Sequence, residues 1–206
     1  MIRFFSFLMA LVIASQAGAT VLREDFSGGL NGWSTSGAAF GIEQSGGPLG
    51  AGDAFMFALD NENTAMATTF GNGWSGDLSV YNHGKLSFDF IHTNIEEPTL
   101  LSSFGRLYVN GTSGSVHADT YSGSPGATWT SVWLGFDANA FNTSESNWQS
   151  IIADVTSIEL RLESWAGNTE RVGLDNAQLA PVPLPQTAFL LLASVGGLFI
   201  ARRRSV

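Results

Sequence analysis

The chain has 206 residues, no cysteine and a formal net charge of −9. Without cysteine it forms no disulfide and offers no thiolate to a metal, and its excess of acid argues against nucleic acid or anionic lipid as a partner. The charge is also uneven: all eighteen acidic residues lie between 20 and 180 with only five basic ones (Arg23, Lys85, Arg106, Arg161 and Arg171), a balance of −13.

From the amino end, Met1-Ile2-Arg3 carries one positive charge and an apolar run follows from Phe4 to Ala14. Ser15-Gln16-Ala17-Gly18-Ala19 then supplies small residues in an A-x-A pattern. A charged start, a short apolar middle and a small-residue exit describe a secretory signal peptide over 1–19, cleaved before Thr20.

Residues 20–180 form one domain by length, large enough to bury a single core without staples. Along it, period-two alternation recurs between turn residues. Phe55, Phe57 and Leu59 alternate with Met56 and Ala58, and Leu86, Phe88 and Phe90 alternate with Ser87 and Asp89. Leu107 and Val109 lead into the turn Asn110-Gly111-Thr112-Ser113-Gly114, after which Val116 resumes. Val132, Leu134 and Phe136 share one face, with Trp129, Ser131 and Trp133 on the other. Ile158, Leu160 and Leu162 alternate with Glu159, Arg161 and Glu163. Short alternating runs of this kind are half-buried antiparallel strands, and many of them with little helix predict an all-β, two-sheet sandwich. Phe88, Phe90, Leu134, Phe136, Leu160 and Leu162 are its expected inter-sheet core. One short helix is expected from Ser146 to about Asp154. Ser146 would be its cap, Gln149 would complete a capping box, and Trp148, Ile151, Ile152 and Val155 follow helical spacing.

No catalytic constellation stands out. Glu159 and Glu163 flank Arg161 on one strand face, and His83, His92 and His117 lack metal-ligand spacing, so the chain reads as a non-enzyme. Trp74, Tyr81, Tyr121 and Trp165 lie beside turn residues, where flat aromatic rings could stack on sugar faces, and they are the candidate glycan contacts. Trp33, after a Gly-rich turn, reads as core.

The order of segments is similar to that of a known domain type. Asp25-Phe26-Ser27-Gly28-Gly29-Leu30-Asn31-Gly32-Trp33 opens the domain and Gly84-Lys85-Leu86-Ser87-Phe88-Asp89-Phe90 stands in the middle. Trp129-Thr130-Ser131, the Trp148 helix and Asp154 to Arg161 follow, and Gly173-Leu174-Asp175-Asn176-Ala177-Gln178-Leu179 closes it. This series resembles the laminin B-type domain (laminin domain IV) and its bacterial relatives, which belong with the jelly-roll sandwiches of many carbohydrate-binding modules. The resemblance implies a jelly-roll fold. It also implies a structural calcium where first and last strands meet, at Glu24 or Asp25 together with Asp175, whose oxygens suit a hard cation.

At the carboxyl end, Val182-Pro183-Leu184-Pro185 and Gln186 precede an apolar run from Thr187 to Ala201 and the basic tail Arg202-Arg203-Arg204. The prolines favour extended backbone over 182–185, and a helix over 187–201 would reach about 22 Å, short of the ~30 Å hydrocarbon core. The arginines would hold that end in the cytoplasm. Motif, apolar helix and basic tail together resemble the VPLPA variant of the PEP-CTERM sorting signal, here 181–206. That resemblance implies an exosortase-type processing enzyme as partner, transient anchoring in a bacterial inner membrane, and release to a surface or matrix rich in exopolysaccharide. The expected function is therefore a non-catalytic surface or matrix protein, with a carbohydrate-binding module of defined ligand as the alternative and a small secreted hydrolase as the third reading.

Overall fold

A computed structural model of the chain describes residues 20–60, 66–93, 104–122, 126–162 and 170–182. The signal segment 1–19, Trp165, Pro183, Leu184, Pro185, the apolar run 187–201 and Arg202, Arg203 and Arg204 lie outside the described residues. Among the described residues no helix is long and apolar enough to cross a membrane.

Among the described residues eleven strands build two antiparallel sheets. In chain order they are β1 (Leu22–Glu24), β2 (Ser34–Ser36), β3 (Ala39–Glu43), β4 (Phe55–Asp60), β5 (Ala67–Thr69), β6 (Gly84–His92), β7 (Arg106–Gly111), β8 (Gly114–Asp119), β9 (Thr130–Phe136), β10 (Val155–Arg161) and β11 (Glu170–Ala180). The larger sheet runs β3-β4-β11-β6-β9, with β1 added to β11, and the smaller runs β2-β5-β10-β7-β8. The two sheets enclose one apolar core, so the expected jelly-roll β-sandwich is the fold. The apolar positions of each expected run fall within an observed strand except Leu162, which follows β10; Trp129 precedes β9, and Glu163 lies outside the described residues.

The core is largely the one the alternation predicts. Phe88, Phe90, Phe136, Leu160 and Leu162 are buried, and Leu134 packs partly buried against them. Strand β4 inverts the intuitive choice of face. Met56, Ala58 and Asp60 point inward, while the larger Phe57 and Leu59 are only half-buried on the outside. The reason is that aromatic and cationic groups cover this outer face as well: the Arg171 guanidinium lies 4.8 Å from the Phe57 ring centre and is ion-paired to Glu43.

Helix α1 spans Glu145–Ile152 and buries Trp148, Ile151 and Ile152, as the spacing predicts. Its cap is Ser144 rather than Ser146: the Ser144 hydroxyl accepts the Asn147 amide at 3.2 Å. Gln149 does not reach back to a cap but donates to Glu145, one turn earlier, at 2.7 Å. Two serines two residues apart offer equivalent caps in sequence, and the chain uses the one that leaves Trp148 fully buried. Val155 belongs to β10, not to the helix.

Candidate functional site

The site is best built from the register of the larger sheet. Strand β11 pairs with β1, β4 and β6, and β6 pairs with β9. Residues directly opposite one another share a face. Arg23 is opposite Gln178, Gln178 opposite Ser87, and Ser87 opposite Trp133. These four side chains therefore form one row across four strands, roughly 14 Å long at the usual strand spacing. One step along the sheet, Lys85 is opposite Gly135, and one step the other way Asp89 is opposite Asp175 and Ser131. The inward neighbours Leu86, Phe88, Val132 and Leu179 are core, so the row must face away from it.

Between Asp175 and Gln178 the register slips by one residue, a β-bulge with Asn176 at φ 49°. Bulges re-aim side chains, and this one turns the Asn176 amide onto the outer face beside Asp175. There Asn176 Nδ2 donates to Asp89 at 2.9 Å, and the Ser131 hydroxyl donates to the other Asp89 oxygen. The result is a groove of about 370 Å³ lined by Arg23, Lys85, Ser87, Asp89, Ser131, Trp133, Asn176 and Gln178, with parts of Phe88 and Val132. Trp133 stands in it 65% exposed, with Lys85 Nζ 5.0 Å from its ring centre. A large exposed indole beside convergent amides, hydroxyls and cations is chemically suited to a ligand with apolar CH faces and polar edges.

The far half of the same face is closed. Trp129 packs edge-on against Phe55 at 5.2 Å and its indole N–H donates to the Gly46 carbonyl at 2.8 Å, pinning the loop between β3 and β4. Gly173 makes this close packing possible, since a Cβ there would stand 2.7 Å from Ile91 and 2.9 Å from Phe55. Between the closed and open halves lies Asp175, with no exposed surface. Its Oδ1 accepts the Asn176 amide at 2.7 Å, while Oδ2 is buried without a hydrogen-bond partner. Burial pushes the Asp175 carboxyl up to about 7; the Asn176 amide opposes this, and the nearby charges of Asp53, Asp89 and Asp25 add to it.

The expected glycan contacts are placed differently. Trp74 is 3% exposed and meets the Trp33 and Phe70 rings edge-on, at 5.8 and 5.0 Å. Tyr81 is 5% exposed, and its hydroxyl donates to the Thr20 carbonyl at 2.7 Å. Both are core residues with no free ring face to offer. Tyr121 packs edge-on against Phe90 and Phe104, away from the groove. Trp33 is core, as expected. Trp133 is the aromatic residue that proximity to turns overlooked, although the alternation of β9 had already set it opposite the apolar trio.

The expected calcium positions are engaged in different ways. Glu24 spends both oxygens on its own loop, accepting the Phe26 amide at 2.8 Å and the Asn31 side-chain amide at 2.9 Å. Asp25 accepts the amide and hydroxyl of Ser27 and lies 3.7 Å from Arg23. Among the described residues no three His, Asp or Glu side chains are grouped to hold a metal ion. Of the expected ligands, Asp175 has a buried oxygen without a hydrogen bond, and Asp25 Oδ2 meets only Arg23 among the described residues, at 3.7 Å. Sequence reasoning also missed a buried polar group elsewhere: His92 and Glu170 are enclosed 3.9 Å apart, with Asp60 opposite Glu170 in register.

The chain matches no family model and no curated protein sequence. Solved structures do share its fold. An exo-β-agarase matches with a TM-score of 0.55 at 16% identity over 78% of this chain, which spans 24% of the agarase chain. A family 11 carbohydrate-binding module from a cellulosomal cellulase of Clostridium thermocellum matches at 0.48 and 17% identity, covering 80% of this chain and 97% of the module. The L4b domain of human laminin alpha-2 matches at 0.45 and 10% identity, covering 61% and 80% respectively. The chain is thus a jelly-roll domain, and it spans about a quarter of the length of the agarase it resembles.

Proposed function

We propose that this domain is a non-catalytic carbohydrate-binding module whose ligand lies in the groove on the outer face of the larger sheet. The observation that carries this reading is Trp133, a large indole held 65% exposed among Ser87, Ser131, Asn176 and Gln178. Exposed aromatic surface left uncovered is unfavourable, and a pyranose face covers it while the sheet's amides and hydroxyls bind ring substituents. Similarity to part of an exo-β-agarase is in keeping with a domain that accompanies polysaccharide chemistry. A hydrolase would need two carboxylates facing across the groove. Asp89 lines it with both oxygens already accepting hydrogen bonds, and Asp175 lies sealed beneath.

Trp133→Ala is the direct test, read by glycan-array binding and titration calorimetry. Affinity should fall at least about tenfold, as expected when a stacking aromatic anchor is truncated, with the melting temperature within a few degrees of wild type because the side chain is exposed. Unchanged binding, or no glycan bound by wild type, would return the chain to the other expected reading, a matrix component without a defined ligand.

We further propose that the domain is delivered to the cell surface or matrix by the two terminal segments, through an exosortase-type enzyme acting after Val182-Pro183-Leu184-Pro185. Mature protein should lack the tail Arg202-Arg203-Arg204, and Pro183→Ala with Pro185→Ala should leave precursor in the inner membrane. Mass spectrometry of the mature protein settles this, an intact tail counting against it.

A further inference from the structure

We propose that the ligand of this groove is an acidic polysaccharide, one whose sugar units carry carboxylates; this rests on the glycan-binding reading above. Cations are scarce in the domain, five between 20 and 180 with eighteen acids, yet Arg23 and Lys85 both line this one groove. Two of the three cations elsewhere are committed: Arg106 is paired with Asp119 at 2.7 Å and Arg171 with Glu43. Lys85 is in no such pair among the described residues; its ammonium lies beside the Trp133 ring instead. Arg23 is held only loosely, 3.7 Å from Asp25, with both side chains largely in water. An anion would therefore displace little to reach either cation.

The carboxylate that lines the groove does not cancel them. Asp89, held by Ser131 on one oxygen and Asn176 on the other, offsets one of the two cations, and the lining keeps a net positive charge. The geometry also fits a polymer better than a small anion. Trp133 and Arg23 close opposite ends of one cross-strand row, and Lys85 lies beside the Trp133 end. A sugar ring stacked on Trp133 can direct its carboxylate to Lys85, while a later unit of the same strand reaches Arg23. The acidic remainder of the surface does not forbid this, because screening at physiological ionic strength limits its reach to about 8 Å and leaves the groove's own cations dominant at contact.

The test titrates the full chain with polygalacturonate, with the same polymer after chemical reduction of its carboxyls, and with a neutral mixed-linkage β-glucan. Wild type should bind polygalacturonate at least about tenfold more tightly than its carboxyl-reduced form, and Lys85→Gln should shrink that ratio severalfold. Trp133→Ala should weaken whatever binds. Equal affinity for the native and reduced polymers, a preference for the β-glucan, or a ratio unmoved by Lys85→Gln overturns the acidic specificity while leaving glycan binding intact. Absence of binding to all three polymers, or indifference to Trp133→Ala, overturns the glycan-binding reading and this inference with it.

Discussion

Replacing Trp148 with alanine should cost on the order of 3–5 kcal/mol of folding stability, enough to unfold much of the population of a domain with about 5–15 kcal/mol in total. The indole is fully buried, stacked on Phe141 at 4.8 Å and 19° and meeting Phe136 edge-on at 4.9 Å. Truncation empties the largest enclosed side-chain volume in the core and removes both ring contacts. It also strands Asn82, whose side-chain oxygen accepts the Trp148 indole N–H at 2.8 Å. Trp148→Phe separates the two effects: it keeps most of the packing and loses the hydrogen bond, so its cost should be about 1–2 kcal/mol. Denaturant unfolding of the three proteins measures both steps. A loss below about 1 kcal/mol for Trp148→Ala would mean that the helix is not part of the cooperative unit.

Asp175→Asn should stabilise the domain increasingly as the pH rises above about 4, and most in neutral and alkaline solution. The folded-state carboxyl titrates at about 7, against an ordinary value of 3.8, chiefly because it is buried. Its folded form therefore holds a proton that the unfolded chain has already released. The stability associated with that proton is fully present below about pH 4 and is lost as the pH climbs to about 7. Above that, wild type carries the whole cost of a buried charge, on the order of 2–4 kcal/mol from a shift of this size. The amide has nearly the same shape and never ionises, so the two proteins should have similar melting temperatures at pH 4 and diverge towards pH 8. Calcium enters as a second variable. If a cation serves Asp175, it takes the place of the proton, and calcium at pH 8 should raise the wild-type melting temperature while leaving the variant unmoved. A difference between the proteins that does not vary with pH would place this carboxylate in water.

Much of the sandwich was legible because its strands alternate strictly. Strands β6, β9 and β10 each bury one apolar face, and the residues expected there are the ones that pack. Strand β4 was ambiguous because both of its faces are apolar, and periodicity gives the two faces without saying which is inside. The short strands β1, β2 and β5, three residues each, carry too few side chains to show a period at all. The site was less legible. Nearness to a turn is a poor guide to an aromatic side chain's surroundings, since the loops holding Trp74 and Tyr81 fold their rings inward over the ends of the sheets. The strand face is the better guide: alternation in β9 sets Trp133 on the outer face, although it was not among the expected contacts. Asp175 was recognisable as a residue of consequence, but neither its burial nor its neighbours Asp53, Asp89 and Asp25 could be read, because they come together from segments far apart in sequence.

The order of the larger sheet has a consequence for how the molecule comes into being. Its central strand, β11, is the last to be synthesised, and without it β3-β4 and β6-β9 are two separate pairs, with β1 unattached. Until Glu170 to Ala180 is available, the sheet cannot assemble, and the nascent chain carries unpaired strand edges that invite association with other chains. Its decisive contacts join the two ends of the domain, a topology that folds slowly. Such a chain remains threadable until β11 emerges, and a break anywhere before β11 yields fragments prone to aggregate rather than a smaller working domain.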